Sequence, residues 1–308
     1  MRRFGVASIA VLTIGVCFTA NALATAATLC VKATKTAAKP KHYTGGWNDK
    51  SCTTTNGMHE GKYEKITPAD LSEGEQEGIR ALLKYVKVVA EGVGNKPTVK
   101  LTGANLQVVS GAKENETNGT GNIVIGVDES SPGEQTGSNN LVLGGGEQEY
   151  TSFGGILAGG GRNKIAAPFA SVLGGAHNTA SAENATVSGG SGNTASGTRA
   201  SVTGGRENSA SGEWAAVTGG YSSAASGEYA SVTAGGYNQA TGSGTSVTGG
   251  GNNISSGDIT SISGGAQNNA ENVASWIGGG ARNRTTGNTA SIFGGFELTA
   301  SVVWEAIP

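Results

Sequence analysis

One apolar position recurs at a fixed interval through most of this chain. It is occupied by valine or isoleucine, stands between small or hydroxylated residues and is followed by glycine, as in the Ser-Val-Thr-Gly-Gly of residues 201–205. A short fixed period of this kind is typical of solenoids, in which each repeat forms one coil stacked on the preceding coil. The interval is 15 residues and holds through Val172, Val187, Val202, Val217, Val232, Val247, Ile262, Ile277 and Ile292.

The residues around this position predict a strand. Side chains alternate along a strand, so the valine is expected to point into a core and its two neighbours to point outwards. Two or more glycines per repeat disfavour a helix. An extended 15-residue repeat has a perimeter of roughly 50 Å, enough for two short strands and two turns. We therefore predict an all-β fold, a parallel β-roll (β-solenoid) with 15-residue coils over residues 95–308, with a longer loop around residues 131–133.

Two other residue types recur with the same period. Alanine forms a second, small inward column at Ala180, Ala195, Ala210, Ala225 and Ala240. Asparagine, which tolerates left-handed turns and can form a hydrogen-bonded ladder when stacked, recurs at Asn163, Asn178, Asn193, Asn208, Asn238, Asn253, Asn268 and Asn283. One valine and one alanine per coil contribute far less burial free energy than the ordering of 15 residues costs. This imbalance favours association of several chains.

The N-terminal residues have the pattern of a processing signal. Arg2 and Arg3 precede an apolar run, and small residues at alternate positions follow it, so residues 1–26 are predicted to be a secretory signal peptide, with an uncleaved anchor as the alternative. No later apolar run approaches the ~20 residues of a membrane helix, so no membrane span is expected in the mature chain. Residues 27–65 are predicted to be an irregular leader. Cys30 and Cys52 form a candidate disulfide, or two exposed thiols.

An amphipathic helix is predicted over residues 66–94. Pro68 and several acidic residues suit its N-terminus, and Gly92 and Gly94 suit its end. The apolar stripe, which is expected to pack on the next domain or to meet copies of itself in a short coiled coil, consists of Leu71, Ile79, Leu82, Val86 and Val89.

Composition gives little support to enzymatic or nucleic-acid functions. The 308-residue chain has 21 Lys+Arg against 23 Asp+Glu, a net charge of −2, and its basic residues do not cluster. The histidines His42, His59 and His177 are isolated, so no zinc site and no Ser/His/Asp set is recognised. The glycine-rich runs lack the Lys-Ser/Thr of a phosphate loop. We expect no enzyme activity, cofactor, metal or nucleic-acid partner.

Two surface features are candidates for binding. Trp214, Tyr221, Tyr229 and Tyr237 lie at predicted turns within two coils. They could form an exposed aromatic patch for a glycan or protein ligand, or pack at a subunit interface. The Ser and Thr residues that flank each valine form outward rows similar to those of ice-binding solenoids, although Leu173, Trp276 and Phe293 interrupt them; the alternative is ordinary solvated strand residues.

The Ser-Val-Thr-Gly-Gly unit, the recurring asparagine and the Ala-Ser-Gly segment resemble the head repeats of YadA-like trimeric autotransporter adhesins. The resemblance covers roughly residues 105–300. It implies a left-handed parallel β-roll and a homotrimer, in which the predicted helix would correspond to a neck or stalk. The strand here ends in Gly-Gly where that family typically reads close to NSVAIG, the family's spacing is shorter, and its C-terminal membrane anchor and long stalk are not recognised.

The resemblance and the residues together lead to a functional expectation. The protein is expected to be a secreted or cell-surface, non-enzymatic adhesin-head-like protein that binds cells, matrix or glycans through its repetitive roll. The alternatives are a structural extracellular spacer without a specific ligand and an ice-binding solenoid.

Overall fold

The computed structural model describes residues 71–126 and 134–308, and the backbone of three short strands before them. These strands, Ile14–Val16, Leu29–Lys32 and Tyr63–Ile66, form an antiparallel sheet in sequence order. The rest of the predicted signal peptide and leader, Cys52 and the side chain of Cys30 lie outside the described residues. Cleavage and the disulfide therefore stay predictions.

The chain divides into two compact units, Met1–Leu106 and Gln107–Pro308. Within the described residues of the first unit there is one α-helix, Glu73–Leu82, which begins with a capping box. The backbone N–H of Ser72 donates to the Glu75 carboxylate at 2.8 Å, and the backbone N–H of Glu75 donates to the Ser72 hydroxyl at 3.4 Å. This reciprocal pair satisfies two of the free N–H groups at a helix N-terminus.

The predicted helix over residues 66–94 was too long at both ends. Its second half forms the strand Val86–Val89, paired antiparallel with Thr98–Leu101. The β-branched residues of this stretch favour a strand, and the turn between the strands contains a 3₁₀ helix, Val93–Asn95. The hairpin also shows that the roll begins later than residue 95. The helix leaves Ile79 and Leu82 of the predicted stripe exposed.

The second unit is a parallel β-solenoid of two sheets, as predicted. The valine sheet has 13 strands: Ile123–Ile125, Leu141–Leu143, Ile156–Ala158, Ser171–Val172, Thr186–Val187, Ser201–Val202, Ala216–Val217, Ser231–Val232, Ser246–Val247, Ser261–Ile262, Trp276–Ile277, Ser291–Ile292 and Ala306–Ile307. The alanine sheet has 11 strands: Glu149–Tyr150, Lys164–Ile165, Thr179–Ala180, Thr194–Ala195, Ser209–Ala210, Ala224–Ala225, Gln239–Ala240, Ile254–Ser255, Asn269–Ala270, Arg284–Thr285 and Thr299–Ala300.

The register confirms the 15-residue coil. Val187 pairs with Val202, and Ala195 pairs with Ala210, so equivalent residues of successive coils lie side by side. The one longer step joins Ile123 to Leu141, across the segment that contains residues 127–133. Each position of the repeat therefore forms a row of side chains along the roll.

Four side chains of each regular coil point into the core, not two. The valine and alanine columns are fully buried. Alternation along the strand also buries the residue two positions before each valine, a column that was missed in the sequence and that contains Ala170, Ala185, Ala200, Ala215, Ala230 and Ala290. The fourth inward position is the asparagine.

Each buried asparagine joins its own coil to the next one. The Oδ1 of Asn193 accepts the backbone N–H of Asn208 at 2.9 Å, while its Nδ2 donates to the carbonyls of Gly189 and Gly205 at 2.9 and 3.0 Å. Burial of an amide costs free energy unless its hydrogen bonds are made. Here the amide oxygen accepts one hydrogen bond and the amide nitrogen donates two. Equivalent bonds are formed by Asn163, Asn178, Asn208, Asn238, Asn253, Asn268 and Asn283.

The ladder asparagine requires the second glycine of the repeat. Gly205 has φ 85°, and a Cβ there would overlap the carbonyl oxygen of Gly220 and the side-chain nitrogen of Asn208. The expectation that the asparagines themselves occupy left-handed turns was wrong. The left-handed residue is the one before each of them, for example Glu207 with φ 57°.

One coil breaks the ladder with Ser223. Its hydroxyl accepts the backbone N–H of Asn238 at 3.3 Å and donates to the carbonyl of Tyr221 at 3.3 Å. A serine has no amide N–H₂ group. It therefore makes no hydrogen bond to the carbonyls of Gly219 and Gly235, which would be the acceptors for an asparagine at this position.

The ladder predicts opposite effects of two substitutions. Ser223→Asn adds two hydrogen bonds and should raise the free energy of unfolding by about 1–2 kcal/mol. Asn193→Ala leaves the buried N–H of Asn208 without its acceptor and should lower it by about 2–4 kcal/mol. Denaturant unfolding followed by circular dichroism measures both, with Asn193→Ser expected in between. An Asn193→Ala variant as stable as the original chain would contradict the role of the ladder.

Candidate binding surface

Two turns connect the sheets in each coil, and each contains a left-handed position that in most coils carries an exposed side chain. The first turn leads from the valine sheet to the alanine sheet and the second turn leads back. In the coil of residues 201–215, the left-handed residues are Glu207 in the first turn and Trp214 in the second, with φ 57° and 60°. Because the coils are in register, each position becomes a row along one edge of the roll.

The four predicted aromatic residues do not form one patch. Trp214 and Tyr229 lie in the second turn, and Tyr221 and Tyr237 lie in the first turn. Trp214 and Tyr221 are 7 residues apart, about half of a 15-residue coil, so they lie at different edges of the roll. The structure gives two aromatic pairs instead.

The second-turn row contains a stack of three side chains, Arg199, Trp214 and Tyr229, called here the Arg-Trp-Tyr row. The rings of Trp214 and Tyr229 are nearly parallel, at 11°, with centroids 6.4 Å apart. The Arg199 guanidinium lies 4.8 Å from the centroid of the Trp214 ring and 3.6 Å from the carboxylate of Glu213. Trp214 and Tyr229 remain 46% and 59% exposed, so both rings are available to a ligand.

The first-turn pair belongs to a polar cluster. The rings of Tyr221 and Tyr237 meet edge to face with centroids 5.2 Å apart, and the Arg206 guanidinium lies 5.8 Å from the Tyr221 ring centroid. The Glu207 carboxylate accepts hydrogen bonds from Arg206 at 3.1 Å and from Ser222 at 3.2 Å. This edge therefore combines tyrosine hydroxyls with an internally paired carboxylate.

Hydrogen bonding shifts two pKa values in this cluster in opposite directions. Desolvation raises the pKa of Glu207, but hydrogen bonds from Ser222 and Arg206, together with the Arg206 charge, outweigh it and hold the pKa below its ordinary value. The pKa of Tyr237 is raised, chiefly by its hydrogen bond to Tyr221 and by the charge of that neighbour once it ionises. The shift of the Tyr237 pKa therefore needs the two tyrosines to stay in contact.

The outer face of the valine sheet carries a row of threonine hydroxyl groups that extends over four coils. Thr203, Thr218, Thr233 and Thr248 follow one another in consecutive coils and are all exposed. Further along this face, Trp276 and Phe293 pack edge to face with centroids 5.3 Å apart, and the indole N–H of Trp276 donates to the Ser263 hydroxyl at 3.1 Å. These aromatic residues end the regular hydroxyl surface.

Residues 71–126 and 134–308 contain no group of three or more His, Cys, Asp or Glu side chains arranged to hold a metal ion. His177 is a first-turn residue with φ 58°, equivalent to Glu207 in the repeat. Over the same residues, none of the helices has the length and apolar character needed to cross a membrane. No protein-family model and no curated protein matches the chain.

The tyrosine contact predicts a measurable titration. Tyr221→Phe removes the hydroxyl that accepts the hydrogen bond from the Tyr237 hydroxyl. The neutral form of Tyr237 is then less stabilised, so the pKa of Tyr237 should fall toward the ordinary tyrosine value. Tyrosinate absorbance or NMR during an alkaline titration measures this change. Tyr229→Phe, in the other turn, serves as the control. A Tyr237 pKa that is the same in Tyr221→Phe would show that the hydrogen bond does not cause the shift.

Proposed function

We propose that this protein is a secreted, non-enzymatic binding protein of adhesin-head type that attaches to cells or extracellular matrix through the edges of its roll. The Arg-Trp-Tyr row carries the proposal. Tryptophan, tyrosine and arginine are the residues most enriched at energetic hot spots of protein interfaces. Here they lie in consecutive coils of a rigid scaffold, with both rings half-exposed.

The scaffold supports such a role because it holds the row in a fixed geometry. The backbone on both sides of Trp214 and Tyr229 pairs with the neighbouring coils at 15-residue intervals. The buried columns and the asparagine ladder leave little freedom to the turns that they connect. A preorganised surface loses less conformational entropy when a ligand binds.

The Arg-Trp-Tyr row can be tested by truncation of both rings. Trp214→Ala combined with Tyr229→Ala should weaken binding to immobilised matrix or to cells at least tenfold, because loss of a hot-spot aromatic costs about 2 kcal/mol or more. Trp304→Ala, an exposed tryptophan in the equivalent turn position with φ 63°, is the matched control. Undiminished binding by the double variant would reject this site.

Assembly into a homotrimer is the second part of the proposal. It is supported by the resemblance of the repeat to adhesin heads. A thin core supports the trimer less than the sequence implied, since four residues per coil are buried and the ladder asparagines make their hydrogen bonds within one chain. The solution mass of the chain, measured by light scattering after size exclusion, should be three times that of a monomer. A stable monomer would reject the trimer without affecting the binding row.

A rigid spacer and an ice-binding solenoid are the alternatives. The ladder makes its hydrogen bonds within one chain, which favours the spacer. A spacer would be a folded chain that binds no specific ligand. The exposed threonines of four consecutive coils favour ice binding, which thermal hysteresis would reveal. The interruption of this face by Trp276 and Phe293 is the reason that we rank it below binding through the turns.

A further inference from the structure

The second-turn row has a gap directly after Tyr229. The next two residues of the row are Gly244 and Ile259, with φ 63° and 57°. A Cβ on Gly244 would have a single neighbour within 4 Å, the Cγ1 of Ile259 at 3.9 Å, so the space above the glycine is open. We call this gap between Tyr229 and Ile259 the Gly244 notch.

The notch has room for one planar group. Successive parallel strands are about 4.8 Å apart, so the backbones of Tyr229 and Ile259, two coils apart, are separated by about 10 Å. One face of the Tyr229 ring is taken by Trp214. Its other face borders the notch, and Ile259, which is 68% exposed, forms the opposite wall.

Two carboxylates flank the notch. Glu228 and Asp258 immediately precede Tyr229 and Ile259 in the chain and are both exposed. The carboxylate of Asp258 accepts the backbone N–H of Ser243 at 3.1 Å, which holds it beside Gly244. An aromatic face beside two negative charges favours a positively charged ligand group.

The chain itself shows which group suits this combination. In the Arg-Trp-Tyr row, the guanidinium of Arg199 lies over the Trp214 ring and next to Glu213, the residue before Trp214. Glu228 and Tyr229 repeat the Glu213–Trp214 pair one coil later. On the free side of Tyr229, however, the row has a glycine where an arginine side chain would fit.

We propose that the Gly244 notch binds the guanidinium group of an arginine side chain on a protein ligand. The inference rests on the proposed binding function and names its ligand class. A guanidinium is planar, stacks on aromatic rings and pairs with carboxylates through two parallel hydrogen bonds, whereas an ammonium group cannot stack. The charge of the notch also favours arginine over a neutral sugar, which would stack on Tyr229 without needing Glu228 or Asp258.

The direct test titrates the full chain with a capped Gly-Arg-Gly peptide while NMR follows the backbone amides. Saturable shifts are expected at Gly244 and Ser243. The citrulline peptide has the same shape without the charge and should bind at least tenfold more weakly. Equal affinity for citrulline, absence of shifts at the notch, or a stronger response to a neutral oligosaccharide at the same amides would overturn the proposal.

Substitutions then locate the effect. Gly244→Arg should fill the notch from within the chain, since Arg199 already adopts the same left-handed conformation with φ 58°, and should abolish peptide binding. Gly192→Arg is the matched control, because it places an arginine at another left-handed glycine, with φ 68°, outside the notch, where a Cβ would make only ordinary contacts, with Glu207. Glu228→Gln with Asp258→Asn should weaken the arginine peptide at least tenfold, and Glu183→Gln, an exposed acid in the same turn of an earlier coil, should not. Normal unfolding midpoints in these variants exclude misfolding.

Measurements of matrix binding by these variants distinguish a failure of the notch proposal from a failure of the proposed function. Loss of matrix binding in both Gly244→Arg and the Trp214→Ala/Tyr229→Ala variant supports both. Loss in the double variant alone keeps the proposed function and overturns the notch as the ligand site. If matrix binding survives in both, the proposed function is rejected, and the notch is overturned as its ligand site as well.

Discussion

Buried asparagine side chains join most coils of this roll to the next, and most of the sequence pattern follows from their hydrogen bonds. The amide of Asn193 uses one oxygen and two N–H groups to connect three backbone groups in two coils. Such a group is stabilising in a small core only when every partner is present. The second glycine of each pair is therefore constrained as strongly as the asparagine, because a Cβ there would overlap a backbone carbonyl oxygen of the next coil.

The period of the sequence was sufficient to predict the solenoid, its 15-residue register and the buried valines. Strand alternation would also have revealed the inner residue two positions before each valine, such as Ala200, which was missed in the sequence. The length of the helix was harder to predict. Val86 and Val89 continue a helical stripe in the sequence, yet they pair across a hairpin with Leu101 and Thr98.

The candidate site was predictable as residue types but not as a geometry. Trp214 and Tyr221 are close in sequence, and proximity in sequence suggested one patch. In a solenoid, position within the repeat decides which edge a side chain occupies, so Trp214 is grouped with Tyr229, one coil away. The Gly244 notch exists because this residue has no side chain, and it can be recognised only when the stacked residues of the row are compared in the structure.

The constant register has a consequence for how such a protein can change during evolution. Most coils make the same bonds to their neighbours, so duplication or deletion of one whole repeat in the gene lengthens or shortens the roll and leaves all rows aligned. An insertion of another length preserves the register only where it is confined to a connection between strands, as in the longer step from Ile123 to Leu141. If it shifted the later residues out of phase, it would bring turn residues such as Glu207 toward the place of Asn208 in the core. Recombination between repeats can therefore adjust the length of the roll while its core and the register of its rows are kept.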